Sequence, residues 1–218
     1  MERVEMVQER SLSGRRAQAA ANDEAILNAA RDVFLTDPTA PIAAVAERAN
    51  VGISALYRRY PSKEVLVGTL CAIGQEVYLE EVERALAETG DPWEVWVGWL
   101  RRIVEADTHA LAVRLAGTFT PTSEHGARAE RMRVLGVRLF ERTKAAGVLR
   151  PGLTFVDVSL LLESLAAIRL GDGTRTSEMR RRYLDVLISG MSSSAGDRLS
   201  GKAPTWAEQT ARWRPTAP

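Results

Sequence analysis

Residues 41–66 read PIAAVAERANVGISALYRRYPSKEVL, and the fold follows from the punctuation of this stretch. Ile42, Val45, Ala46 and Ala49 recur at i, i+3, i+4 and i+7, the apolar face of a short helix. Pro41 suits the first turn of that helix, where a missing N–H costs nothing. Asn50-Val51-Gly52 then makes a tight turn. A second short helix is predicted over about 53–60, and Pro61 halts it. Ser62 is placed to cap a long third element carrying Val65, Leu66, Leu70, Ile73 and Val77. Short helix, tight turn and short helix form the helix-turn-helix pattern, whose later helix lies in the major groove of DNA. Many packed helix pairs share this spacing, so the pattern alone does not decide function.

Upstream, Ile26, Ala29, Ala30, Val33 and Phe34 repeat with helical period, with Asn22 placed to cap and Asp23 and Glu24 favouring the positive N-terminus. Asp37-Pro38 ends that helix. Beyond Gly90 the predicted helices lengthen. Asp91 is placed to cap one with Trp93, Trp96, Val97, Leu100 and Val104 inside, and Glu94 to reach back as in a capping box. A shorter helix is expected over 110–119. The next carries Met132, Leu135, Gly136, Leu139, Phe140 and Thr143, and Gly147 ends it. Thr154 to Asp157 opens a capping box for a helix over 155–170, and a last one presents Met179, Tyr183, Val186, Leu187 and Gly190. No alternating apolar run announces a strand. The predicted class is all-α: an N-terminal three-helix helix-turn-helix domain followed by a larger helical domain. The expected boundaries are a basic arm at 1–21, the helix-turn-helix at 22–68, a ligand-binding and dimerisation domain at 69–193, and a tail at 194–218. In the tail, Thr205-Trp206-Ala207-Glu208 resembles a capping box, and Trp206, Thr210 and Trp213 share a face. A helix docked on the body and a frayed end are both open readings.

The 218 residues are 45% hydrophobic and 26% charged, which excludes wholesale disorder and fibrous classes. One cysteine, Cys71, makes no internal disulfide and reads as packing. His109 and His125 stand too far apart for a zinc spacing and read as exposed or hydrogen-bonded. No metal, no cofactor and no catalytic constellation is implied, so an enzyme is not expected. The first eight residues lack a signal peptide's apolar run, and Glu163 and Arg169 interrupt the most apolar stretch. No membrane association is expected, and the expected compartment is the cytoplasm.

The formal net charge of +1 argues against a uniformly basic surface. The cations are local instead. Residues 48–63 hold Arg48, Arg58, Arg59 and Lys63 with no acid, and residues 10–22 hold Arg10, Arg15 and Arg16 with none. Charge gathers where a nucleic-acid backbone would need it, although a solvated helix face and a basic arm would look the same.

Residues 45–66, VAERANVGISALYRRYPSKEVL, resemble the signature of the tetracycline-repressor (TetR) family of bacterial transcriptional regulators, IAxxAGVSxGTLYxHFxSKExL. The resemblance covers 22 to about 70, and the later helices match the family in number, length and order. Five departures stand out. Asn50 replaces a turn glycine, and asparagine tolerates the left-handed conformation. Gly52 replaces the serine that caps the later helix. Ser54-Ala55 replaces Gly-Thr, Arg59 replaces histidine, and Pro41 replaces a phosphate-contacting threonine.

The resemblance implies a homodimer on double-stranded operator DNA, repression by default, and release by a small-molecule effector. It implies that Ile53, Ser54, Ala55 and Arg58 face the groove and that Tyr57, Arg59 and Lys63 hold phosphates. Gly52, Thr39 as the nearest substitute for the lost threonine, and Arg15 and Arg16 of the arm complete the set. Leu56 and Tyr60 are expected in the core, while Arg48 reads equally as a solvated residue or a phosphate contact. An effector pocket is expected between the fifth, seventh and eighth helices, walled by Trp96, Leu100, Met132, Leu135, Leu139 and Leu162. With no charge on the inner faces of the fifth to seventh helices, the effector is expected to be largely apolar. Trp93, Trp96 and Trp99 read either as pocket walls or as plain core. The dimer interface is expected from 155–170 and 177–191, through Leu161, Leu165, Tyr183 and Leu187, as a four-helix bundle. Glu163 reads as paired with an arginine or as solvated. In the alternative reading, the second domain serves only dimerisation or a protein partner.

Overall fold

The computed structural model describes residues 20–115, 117–196 and 199–211, and no strand occurs among them. Helix α1 occupies 20–36. It is followed by α2 (Ile42–Arg48), α3 (Ile53–Arg59), α4 (Lys63–Ala87), α5 (Pro92–Glu105), α6 (Thr108–Leu115), α7 (Ser123–Ala145), α8 (Phe155–Ala167) and α9 (Gly173–Met191). A 3-10 turn (Ser193–Ala195) and α10 (Trp206–Ala211) follow. The chain divides between Leu70 and Cys71, inside α4, into two compact units.

In the first unit, Ile26, Ala30 and Phe34 of α1, Ile42 and Val45 of α2, Leu56 of α3, and Leu66 and Val67 at the start of α4 are buried together with Tyr60. Asn50 holds the turn between α2 and α3 at φ 52°, the conformation its short polar side chain tolerates. Ser62 accepts from the Val65 amide at 3.2 Å, capping α4 as its position predicts. Two local expectations are corrected. Asn22 lies inside α1, which is already helical at residue 20. Pro41 is the N-cap of α2 in extended backbone, one residue before the first turn. Along α4, Val65 and Ile73 face outward.

The second unit packs α5 against α7 and α9, and α6 against α8. Its core joins Tyr78 and Val82 of α4, Trp96, Trp99, Leu100 and Ile103 of α5, and Leu139 and Phe140 of α7. Val158, Leu162 and Leu165 of α8 and Leu184 and Ile188 of α9 complete it. The helix starts are chemically fixed. Asp91 accepts from the Trp93 and Glu94 amides, Thr154 and Asp157 form a reciprocal capping box, and Thr122 forms one with His125. At the other end of α4, Arg142 donates to the carbonyls of Ala85, Leu86 and Glu88, which lack partners within the helix. Burial pushes the Cys71 thiol up to about 11, so it is unreactive at neutral pH.

The tail returns to the body. Thr205 and Glu208 form a reciprocal capping box, and Gln209 is buried with its Nε2 donating to Glu163 of α8 at 3.1 Å. The Arg133 guanidinium of α7 lies 5.8 Å from the Trp206 ring centroid. Among the described residues, the tail glutamine is thus a partner of Glu163. Trp213 lies outside the described residues.

Packing bears on three expectations for this unit. Leu165, assigned to a dimer interface, is buried within its own chain, as is Leu162, while Leu161 and Leu187 are half-buried and Tyr183 is exposed. α8 also ends at Ala167, short of Leu170. Of the expected pocket walls, Trp96, Leu100 and Leu139 are sealed in the core and Met132 and Leu135 pack beside it. A cavity of about 10 Å³ opens elsewhere, beside α6 and α9, with Leu162 alone of the six at its edge.

Gly136 marks the closest approach in this core. A Cβ there would lie 2.3 Å from Phe155 Cζ and 2.8 Å from the Tyr78 hydroxyl, both buried residues. Gly136→Ala is therefore expected to destabilise the protein by about 2–3 kcal/mol through overpacking. The check is a lower urea midpoint with an unchanged m-value.

Candidate nucleic-acid interface

α3 is too short to be stable alone and is held by one buried stripe. Leu56 within it and Tyr60 just after it are buried, as their spacing predicts. The rest of its surface is open. Ile53 is 42% and Tyr57 47% exposed, and Gly52, Ser54, Arg58 and Arg59 are exposed as well. Large apolar side chains left in water on a helix that could have buried them mark a contact face. Ala55 is half-buried at the wall of a cleft of about 450 Å³ shared with α1, beside Arg58 and Arg59. No side chain caps the amides at the start of α3, where Gly52 stands. The Ala55 amide donates to the Gly52 carbonyl at 2.9 Å, and those of Ile53 and Ser54 remain donors for an anion.

The cations around α3 differ in what they already hold. Arg58 forms no ion pair among the described residues. Arg59 forks onto Asp23 of α1, with Nε at 2.8 Å from both carboxylate oxygens and a terminal nitrogen at 2.5 Å. The hydrogen bond from Arg59 holds the Asp23 carboxyl below its usual range, and the bond raises Arg59 in turn. The Tyr60 hydroxyl donates to the same carboxylate at 3.3 Å, and burial pushes that phenol up. A carboxyl so lowered contributes stability above its ordinary range, and that contribution is lost as pH falls through the folded value.

Arg48 pairs with Asp32 at 2.8 Å, both well exposed, which makes it a solvated surface pair. Lys63 turns inward: its Nζ donates to the carbonyls of Pro38 (2.8 Å) and Ala40 (2.7 Å) and sits 5.0 Å from the Phe34 ring centroid. Thr39 is exposed in the same loop, its amide and hydroxyl both donating to Asp37. Arg15 and Arg16 lie outside the described residues. Asp23 was missed as a partner in the sequence, where it reads only as an acid suited to a helix start. Nothing local signals a bond across 36 positions.

The sequence matches two family models. "Bacterial regulatory proteins, tetR family" matches over residues 26–70, and "Transcriptional regulator SbtR-like, C-terminal domain" over residues 91–193. Together they take in more than half of the chain. No curated protein sequence matches. Among solved structures, the chain is similar to the TetR-like regulator LfrR from Mycobacterium smegmatis in complex with proflavine. That likeness has a TM-score of 0.61 at 20% identity and covers 83% of this chain and 99% of LfrR. The ketosteroid transcriptional regulator KstR2 of Mycobacterium tuberculosis is similar at TM-score 0.58 and 20% identity, over 78% of this chain and 94% of that one. The regulator SCO0520 from Streptomyces coelicolor is similar at 0.52 and 25%, over 78% and 97%. The helix-turn-helix and these matches define a DNA-binding regulator of transcription, not an enzyme. The chain belongs to the TetR family of bacterial transcriptional regulators. No helix among the described residues is long and apolar enough to cross a membrane.

Proposed function

We propose that the chain acts as a homodimeric repressor that reads a near-palindromic operator through α3 and leaves it when a small, largely apolar effector binds the second unit. The observation that carries the DNA reading is the open face of α3, with Ile53, Ser54 and Tyr57 exposed and Arg58 free of ion pairs among the described residues. Ser54, Ile53, Arg58 and the methyl of Ala55 are the base-reading set, and arginine pairs best with guanine. Tyr57 and Arg59 hold phosphates, with the open amides after Gly52, the Thr39 loop, and Arg15 and Arg16 adding to the backbone grip. Arg59 must exchange Asp23 for a phosphate on binding. Lys63 braces the loop that carries Thr39, a role distinct from its assignment as a phosphate ligand.

Selection of bound DNA from a random pool tests this reading. Arg58→Ala is expected to relax the preference at one base pair, at about 1–3 kcal/mol, with specificity lost at that position. Arg59→Ala is expected to weaken all sequences alike and lower the log-log salt slope by about one unit. If both variants select the parent's sequence with the parent's slope, α3 is not the reading helix.

The effector reading draws support from LfrR, a protein of this fold with proflavine bound. One observation favours the alternative, in which the second unit only dimerises or meets a protein: its core is closely packed, with Trp96, Trp99, Leu100 and Leu139 sealed from solvent. Melting temperature across a metabolite library separates the two, because a ligand of the folded state raises apparent stability by mass action.

A further inference from the structure

Among the described residues, the second unit buries one guanidinium. Arg180 of α9 is 4% exposed. Its Nη1 donates to Asp107 Oδ1 at 2.5 Å, and its Nη2 to the carbonyls of Ala166 and Ile168 at 2.8 and 3.3 Å, where the end of α8 favours a cation. Its Nε, also buried, has no acceptor among the described residues. Such an orphan donor in a native interior calls for an explanation.

Asp107 reaches this cation from an unusual backbone. It forms the turn between α5 and α6 at φ 51°, the left-handed conformation that aspartate, like asparagine, tolerates through its short polar side chain. The ion pair ties that turn to α9. Arg180, Asp107 and His109 border the cavity of about 10 Å³, whose remaining walls are apolar, among them Ile103, Leu162 and Leu165. Burial holds the His109 imidazole down to about 4, so it is neutral at pH 7. The cavity has room for about one water and for no organic ligand.

Further donors lie along the same interior. Trp96 Nε1 and Trp99 Nε1 are buried without acceptors among the described residues, their rings 5.0 Å apart, and the Tyr78 ring lies 5.9 Å from Trp99 and 6.1 Å from His109. Three orphaned N–H groups among apolar walls are complementary to a molecule with acceptor oxygens and an apolar body. Among the described residues, Asp107 is the one carboxylate bonded to the cation, through Nη1.

We propose that Arg180 is the recognition residue for a small organic carboxylic acid with an apolar body, and that Asp107 occupies its place as an internal carboxylate until such an acid displaces it. This inference rests on the effector reading above and names the chemical class of the effector. Displacement frees Nη1 for the incoming carboxylate, leaves Nε for a second acceptor, and releases the turn at Asp107 from its bond to α9, so that space opens at the cavity. An acid that binds only the displaced state is weakened by the scarcity of that state, a cost that disappears once Asp107 no longer competes.

The test uses the full chain and its tryptophan-detected melting temperature with hexanoate and phenylacetate, against hexanol, 2-phenylethanol and hexylamine. Asp107→Asn keeps the left-handed backbone and removes the competing charge. The acids are expected to raise the melting temperature of the wild type and to reach half-effect on Asp107→Asn at a concentration about tenfold lower or less. Asp107→Asn with Arg180→Met removes the whole buried pair, a change that interiors often tolerate, and is expected to abolish the response. The proposal is overturned if the acids act equally on wild type and Asp107→Asn, or if the double variant still responds. Should the alcohols or the amine shift the protein while the acids do not, the site is misassigned and the effector reading stands. If none of these compounds shifts either protein, the carboxylic-acid proposal falls, and the metabolite library alone decides the effector reading.

Discussion

Arginine at both Tyr183 and Val186 is expected to leave each chain folded, reduce the protein to monomers and weaken operator binding sharply. On α9, Thr176, Arg180, Leu184 and Ile188 face the chain's own core, so the helix has a single buried stripe. A neighbouring stripe, about 100° round the helix, holds Tyr183 at 51% exposure and Val186 at 64%, with Met179 beside it and Leu187 between the two stripes, both half-buried. An apolar stripe on a charged helix, with Arg181, Arg182 and Asp185 around it, matches a covered interface better than a solvated surface. Across a two-fold axis this stripe meets its own copy, so each added arginine lies near its symmetry mate. Like charges brought together in an apolar contact cost several kcal/mol, enough to raise the dimer dissociation constant by about a thousandfold or more.

The same changes at exposed positions alter chain stability by only about 0.5 kcal/mol. Light scattering at micromolar concentration is then expected to give the 23.9 kDa of a single chain with an unchanged helical spectrum. Operator affinity is expected to fall by a factor of about 10² to 10⁴, because the second half-site is no longer bound intramolecularly. Leu165 is unsuited to this test: at 3% exposure it belongs to the core, and a charge there unfolds the chain before it reports on association. A variant that stays dimeric moves the interface to another face.

Sequence legibility follows the range of the interactions. Capping boxes at Thr154 to Asp157 and Thr205 to Glu208, the Asp91 cap and the turn at Asn50 are all bonds within three positions, so pattern and chemistry locate them. The buried stripe of α3, Leu56 and Tyr60, is equally plain. α8 shows where periodicity stops informing. It is apolar on most faces, so Leu161 and Leu165 look alike in sequence, yet only the second is sealed in the core. Arg180 stands in the charged run Arg180-Arg181-Arg182 and reads as surface, while its partner Asp107 lies 73 positions away. The candidate interface divides in the same way. Exposure of Ile53, Ser54, Tyr57 and Arg58 follows from helical geometry, whereas the partners of Arg59 and Lys63 come from α1 and from the loop after it.

Lys63 makes that division measurable. Lys63→Met is expected to destabilise the first unit by about 3–4 kcal/mol while leaving the salt slope of operator binding unchanged. The ammonium donates to the Pro38 and Ala40 carbonyls at 2.8 and 2.7 Å, which fixes the loop between α1 and α2 against the start of α4. Hydrogen bonds from a charged donor contribute about 1.5–3 kcal/mol each, and partial solvation of the loop places these two toward the low end. Contact with the Phe34 ring adds about 0.5 kcal/mol. Methionine keeps the apolar stem over that ring and removes only the donor, so amide exchange should quicken first along residues 37–48. Arg59 supplies the contrast. Its pair with Asp23 is exposed on the arginine side and contributes little to stability, so Arg59→Met is expected to lower the salt slope by about one unit with a small change in melting. Had Lys63 been a phosphate ligand in the bound state, its replacement would release one counterion fewer and lower the slope by the same unit. A fall in slope with unchanged amide exchange therefore means that the Pro38 and Ala40 carbonyls give up the ammonium to DNA. Faster exchange with an unchanged slope means that Lys63 holds the loop from within.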